Sequence, residues 1–239
     1  MGELNYEALY SEIFKRKSVR HFETRAMDKD LTEKINTAIA EAVPLNNAPA
    51  ALRIMDAGEA GVSFGKAPYC LGAYAGNNPE AQLNAAFLLQ ELSLRLSCLG
   101  LGSCWVGMAK PRGALAEYKG LPFFKLIVFG FPAGDLHRND VRQFSRKSRG
   151  EISAIQGRDE LIEAVRLAPS AMNRQGWYLS EEDVRGGSEP GRGIRLFMAG
   201  SNFFLKKLMD PLTAADAGIA LCHLWIAARK SGEFVSACR

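Results

Sequence analysis

Ala168-Pro169-Ser170-Ala171-Met172-Asn173-Arg174-Gln175-Gly176-Trp177 is the stretch on which the reading of the fold turns. Apolar residues at Leu161, Ile162, Val165 and Leu167 recur at helical spacing before it, and Pro169 stops that helix. Beyond it, Trp177-Tyr178-Leu179 reads as the start of a strand. The junction sets one hydroxyl, two amides and freed backbone N–H groups at one end of a packed layer. Such a set suits a flat polar ligand with many donors and acceptors. It suits equally an ordinary helix-to-strand loop with an asparagine turn.

The chain around it has 239 residues, enough to bury a real core as one domain. Hydrophobic residues make up 47% and charged residues 23%, which describes an ordinary globular protein. A net charge of +4, with basic residues scattered except at two Arg-Lys-Ser clusters, favours local anion sites over a nucleic-acid face. Cys70, Cys98, Cys104, Cys222 and Cys238 form no C-x-x-C pair and read as reduced thiols of a cytoplasmic protein. Met1 to Glu12 is too polar for a signal peptide, and Leu83 to Leu101 contains Asn84, Gln90, Glu91 and Arg95, too polar for a membrane span.

Tyr6 to Phe14 predicts an opening helix, which runs into Arg16-Lys17-Ser18-Val19-Arg20-His21-Phe22. Arg16, Ser18 and Arg20 are spaced so that two guanidiniums and a hydroxyl can converge on a phosphate. A solvated basic run has the same composition. Together with the first stretch, however, this pattern resembles a known family. Arg16-x-Ser18-x-Arg20-x-Phe22 is similar to the N-terminal signature of the nitroreductases, small FMN-dependent oxidoreductases. Pro169-Ser170-x-x-Asn173-x-Gln175-x-Trp177 is similar to their flavin-contacting loop, with Gly176 where the family commonly has Pro.

The rest of the chain predicts helices over Leu31 to Val43, Pro79 to Cys98 and Thr213 to Lys230. Strands are expected at Leu52-x-Ile54, Ala67 to Tyr74, after Gly102, at Leu126 to Phe129, from Trp177, and at Ile194 to Ala199, with a loop over Arg185 to Gly193. Gly61-x-x-x-Gly65-Lys66-Ala67 is one residue short of a P-loop and lacks its Ser or Thr. Gly100-Leu101-Gly102-Ser103-Cys104-Trp105-Val106-Gly107 reads as a helix stop and a strand. By resemblance, Trp105, Val106 and Gly107 belong to the segment whose backbone passes the flavin ring. The resemblance likewise implies that Arg146 and Lys147, in the basic cluster after Gly130-Phe131-Pro132, complete the phosphate site.

In an ordinary family member the Pro-Ser-x-x-Asn loop lies in the first half of the chain, and an internal repeat explains its displacement here. Pro79 to Gly100 and Pro211 to Gly232 are apolar helices led by Pro and closed by Gly. Asn84 stands against Asp216, Leu89 against Leu221 and Leu92 against Leu224. Ile39 to Met55 mirrors Val165 to Glu181, and Arg16-Lys17-Ser18 recurs as Arg146-Lys147-Ser148. The expected fold class is α+β: one nitroreductase-like domain over 1–239, built of two pseudo-symmetric units, about 1–140 and about 141–239, with mostly antiparallel sheets and long buried helices.

Nitroreductases of the ordinary kind are homodimers that borrow the Pro-Ser-x-x-Asn loop from the partner subunit. The resemblance therefore implies that Pro169, Ser170, Asn173 and Gln175 reach across from the second unit to FMN held by Arg16, Lys17, Ser18 and Arg20. One flavin per chain is expected, because the mirror loop Pro44-Leu45-Asn46-Asn47-Ala48-Pro49 lacks the Gln and Trp. The implied activity is ping-pong transfer from NAD(P)H to a nitroaromatic, quinone or similar small acceptor, with no essential side-chain acid or base and no metal. The alternative is a flavin-binding or flavin-free relative without reductase activity. A monomer suffices for the site, and a further homodimer is compatible with it. His223, on an apolar helix, is expected to be a hydrogen-bonded core histidine.

Overall fold

The computed structural model of the protein describes residues 5–184, 191–198 and 203–232. Helices α1 (Tyr6–Ile13), α2 (Lys29–Glu41) and α3 (Pro79–Cys98) each begin at a side-chain cap. Asn5, Asp28 and Asn78 accept the N–H groups of Ala8, Leu31 and Ala81 at 3.0, 2.8 and 2.9 Å. Pro79 fills the first turn of α3, where its missing N–H costs nothing. Gly100, at φ +80°, turns the chain out of that helix.

Strands β1 (Ala50–Asp56), β2 (Tyr69–Ala75), β3 (Gly102–Val106), β4 (Glu117–Tyr118) and β5 (Leu121–Gly130) form one antiparallel sheet. Its order is β1-β2-β5-β3, with the two-residue β4 pairing on β5. β2 and the second half of β5 are buried on both faces, which is why they read as apolar runs rather than alternations. Leu71, Ala73, Ile127 and Phe129 pack with α2 and α3. Cys70, Tyr74, Leu126 and Val128 face the other way, onto Val19 and Phe22.

The second half holds α4 (Arg149–Ile152), α5 (Asp159–Arg166), the antiparallel pair β6 (Trp177–Val184) and β7 (Gly191–Met198), and α6 (Phe203–Lys230). Leu161, Ile162, Val165, Trp177, Leu179 and Ile226 share a core with Leu9, Ile13 and Phe87 from the first half. The fold is α+β with antiparallel sheets, as the sequence implies. The halves are unequal: five strands in the first stand against two in the second among the described residues.

Several boundaries differ from expectation: α2 spans Lys29–Glu41 rather than Leu31 to Val43, and β5 begins at Leu121 rather than Leu126. α6 begins at Phe203, ten residues before Thr213, and runs through Pro211. Phe203, Phe204, Leu208 and Leu212 continue the helical spacing upstream, so one lost N–H bond does not end the helix. β7 starts at Gly191 rather than Ile194, paired across to Val184. The remainder of the expected loop, residues 185–190, lies outside the described residues, as do Ala199 and Cys238.

α3 is buried on nearly every side, and its buried Asn84, Gln90, Glu91, Ser93 and Ser97 side chains each have a hydrogen-bond partner. Ser93 meets Ser103 Oγ at 2.8 Å, Ser97 donates to Glu12 Oε2 at 2.6 Å, and Glu91 holds Arg95. No helix among the described residues is long and apolar enough to cross a membrane.

Candidate functional site

Arg16 to Phe22 runs extended along β3. Ser18 pairs with Ser103, and Val19 N–H donates to Ser103 O at 3.0 Å. Two glycines permit this approach. A Cβ at Gly102 would sit 2.5 Å from Val19 Cγ2, and one at Gly65 only 1.7 Å from the Arg20 carbonyl oxygen. Gly65 is also left-handed, at φ +57°, and its own carbonyl accepts Phe22 N–H at 2.9 Å. The segment rejected as a P-loop thus shapes the backbone of Arg20.

Lys17, between Arg16 and Ser18, is half-buried. Arg16 is 5% exposed. Its Nη2 donates to Ser18 Oγ at 3.3 Å, while its Nε is buried without a partner. Burial lowers its pKa to about 10, Arg138 and Arg146 push the same way, and Cys104 opposes them; it stays charged at neutral pH.

Arg146 comes to this place from the second half. Its Nη1 donates to Asn173 Oδ1 at 2.7 Å and to Ser145 O at 3.0 Å, and its Nε is again buried and unpartnered. Burial lowers its pKa to about 10, helped by Arg138 and Arg166. A buried guanidinium N–H with no acceptor costs on the order of 1–3 kcal/mol or more. A phosphate among Arg16, Ser18, Arg20 and Arg146 would accept both orphaned donors, so this donor set fits a phosphate-bearing cofactor.

Pro169 to Trp177 folds over that cluster as a single 3-10 turn at Ala171–Asn173, with Met172, Asn173 and Gln175 left-handed at φ 54, 55 and 46°. Asp216 on α6 holds the turn. Its Oδ1 accepts Ala171 N–H at 2.8 Å, and its Oδ2 meets Arg174 Nη2 at 3.2 Å. Ser170 Oγ accepts Gln175 N–H at 2.9 Å. Asn173 Nδ2 donates to Ser145 O at 2.8 Å. Gln175, 1% exposed, is used at both ends: Oε1 accepts Lys147 N–H at 2.8 Å and Nε2 donates to Arg166 O at 2.9 Å. Lys147 Nζ donates in turn to Gln175 O at 3.0 Å. Gln175 therefore braces the loop from within, Met172 and Asn173 are exposed at its surface, and Ser170 is half-buried.

The third segment is the end of β3. Trp105 Nε1–H donates to Gln90 Oε1 at 3.0 Å, and Gln90 Nε2 meets His223 Nε2 at 2.9 Å. His223 Nδ1 lies 2.8 Å from Ala164 O. One assignment satisfies all four groups: Nδ1–H donates to Ala164 O and Nε2 accepts from Gln90. Burial drives the His223 pKa down to about 3, with Arg16 and Arg146 adding to the shift, so the ring stays neutral. This chain of bonds ties β3, α3, α6 and α5 together, and the Trp105 side chain is committed to it. What β3 offers outward is backbone: Val106 is half-buried, Gly107 is exposed, and a Cβ at Gly107 would meet nothing within 4 Å.

The structure thus gathers Arg16, Ser18, Arg20, Arg146, Lys147, Ser170, Asn173 and Gln175 around one cluster, with Lys17 and Pro169 half-buried in the same segments. Arg138, Gln90 and Gly65 belong to the surroundings, and Arg138 carried no sequence signal of its own. A cleft of ≈ 820 Å³ runs along the mirror loop past Asn46, Asn47 and Asn84. The cations reaching it, Arg53 and Lys119, lie over the Tyr118 ring at 5.3 and 5.5 Å. No group of His, Cys, Asp and Glu able to hold a metal occurs among the described residues.

No curated protein matches the sequence. A putative nitroreductase from Thermotoga maritima MSB8 is 21% identical, with 100% of this chain and 92% of that one covered at a TM-score of 0.67. A nitroreductase family protein from Clostridium difficile 630 is 17% identical over 63% of this chain and 96% of its own, at 0.51. An FMN-dependent nitroreductase from Clostridium difficile R20291 is 17% identical over 58% and 98%, at 0.44. At these identities the first two likenesses are of fold. The family model described as "Putative TM nitroreductase" matches residues 8–228, nearly the whole chain, and the chain belongs to that nitroreductase family of oxidoreductases.

Proposed function

We propose that this chain is an FMN-dependent NAD(P)H oxidoreductase, working by a ping-pong mechanism on nitroaromatic, quinone or similar small acceptors, with one flavin per chain. The observation that carries the reading is the pair of buried, unpartnered guanidinium Nε atoms, Arg16 from the first half and Arg146, bonded to Asn173, from the second. Arg16, Ser18, Arg20, Arg146 and Lys147 hold the phosphate. Ser170 and Asn173 address the polar edge of the ring, and Gln175 keeps their loop in place. The backbone of Trp105 to Gly107 borders the ring beside open space. When bound, FMN supplies the hydride and electron transfer, so no side chain is needed as acid or base.

The single-chain site is the consequence of two fused pseudo-symmetric units. Asn84 Oδ1 accepts Leu45 N–H at 2.9 Å, as Asp216 Oδ1 accepts Ala171 N–H at 2.8 Å. These are counterparts in the register of the repeat: Asn84 stands to Asp216 as Leu45 stands to Ala171. In the same register Ala86 answers Gly218, and the two lie against each other where α3 crosses α6, as residues on a two-fold axis would.

One observation favours a second reading, a flavin-binding or flavin-free relative without reductase activity. Both ends of the Gln175 amide, and one donor and one acceptor of Asn173, are already bonded within the protein. An absorption spectrum with FMN, followed by NAD(P)H under argon, separates the two. Protein-bound flavin that bleaches supports the oxidoreductase. Bound flavin that does not bleach, or no uptake at all, supports the second reading.

A further inference from the structure

Arg138 lies outside every motif, yet its position is fixed twice. Its backbone N–H donates to Lys15 O at 2.7 Å, and His137 before it pairs with Arg16. Its side-chain Nη1 donates to the carbonyl of Arg16. Its guanidinium lies 4.0 Å from the centre of the buried Phe144 ring, with Arg146 at 5.7 Å from the same ring. Arg138 therefore joins the Arg16 side of the cluster to the Arg146 side.

The charged group that shifts its titration is of its own sign. Burial lowers the pKa of Arg138, and Arg20 lowers it further; Arg138 does the same to Arg16 and Arg146. Among the described residues no carboxylate pairs with Arg16, Arg20, Arg138 or Arg146. Like charges gathered at this place, two of them with an unused buried donor, suit an anion among them.

We infer that Arg138 is a further anion-binding residue of this site: it adds its charge to the phosphate pocket and, through the carbonyl of Arg16, positions that arginine. The nature of the phosphate carrier rests on the flavin reading; the anion itself rests on the geometry. Arg138→Met keeps a long side chain against Phe144 but removes the charge and donors, whereas Arg138→Lys keeps the charge.

The test is fluorescence titration of wild type, R138M and R138K with FMN and with riboflavin, which lacks the phosphate, at two salt concentrations. R138M is expected to bind FMN about tenfold or more weakly, with a shallower salt dependence. It should bind riboflavin as wild type does, and R138K should recover part of the FMN affinity. Equal FMN affinity in wild type and R138M overturns the inference, and so does an equal loss of FMN and riboflavin, the mark of a merely structural role. A wild type that binds neither flavin refutes the flavin reading instead. Inorganic phosphate, followed by tryptophan fluorescence, then decides on Arg138: weaker binding by R138M supports it, and equal or absent binding overturns it.

Discussion

Arg16 and Arg20 are two residues of one motif with opposite surroundings, and that difference can be measured. Arg20 is exposed, so Arg20→Ala should weaken FMN binding by about 1.5–3 kcal/mol, the worth of a charged hydrogen bond. Its thermal stability should stay within about 0.5 kcal/mol of wild type. Arg16 is buried and bonded to Ser18, so Arg16→Ala should lose both flavin and stability. Equal stability losses in a melting experiment would contradict the placement of the two.

His223 offers a second test at this scale. Its folded pKa of about 3 lies below the ordinary 6.5, so the unfolded chain binds a proton that the folded one refuses. The neutral ring's contribution is fully present above about 6.5 and is lost as the pH falls toward 3. Below 6.5, wild type should lose about 1.4 kcal/mol per pH unit from this group alone. His223→Gln, which keeps an acceptor for Gln90, should show a shallower acid loss in denaturant titrations. Identical slopes would contradict a neutral buried histidine. The sequence made this residue legible, because a lone histidine on an apolar helix needs partners. It could not supply Gln90, Trp105 or Ala164 as those partners, since only the packing of four elements brings them together.

Among the elements, α3 was readable to the residue because its signals are local: Asn78-Pro79 at the start and Gly100 at the end. The start of α6 was not, because Pro211 imitates a helix start inside a longer helical pattern. α4 escaped notice although Ser148-x-x-Glu151 is a capping box, its Glu151 carboxylate accepting from Ser148 N–H at 2.8 Å. The crossing of α3 and α6 depends on Gly218, where a Cβ would stand 2.4 Å from Leu83 O and 2.9 Å from Phe87 N. These are backbone atoms that cannot turn aside. Gly218→Ala should therefore destabilise by about 1–3 kcal/mol, against the usual gain from replacing a helical glycine. A melting temperature at or above that of wild type would mean the helices are not so closely packed.

In the whole molecule, the Pro-Ser-x-x-Asn loop between a helix and a strand was legible, because it rests on residue types at fixed spacing. The inequality of the halves was not: strand pairing is non-local, and the Gly-rich stretch before β7 hid where that strand begins. Arg138 was not legible either, since its role depends on Phe144 and Arg16 meeting it in space. If two halves of one chain build one phosphate-anchored flavin site, the stoichiometry follows. An FMN titration of the purified chain, with the mass of the flavin-bound species read by sedimentation at the flavin absorbance, measures it. Saturation is expected at one FMN per chain, carried by a species that needs no second chain. No uptake, or one FMN per two chains carried only by a dimer, would contradict it.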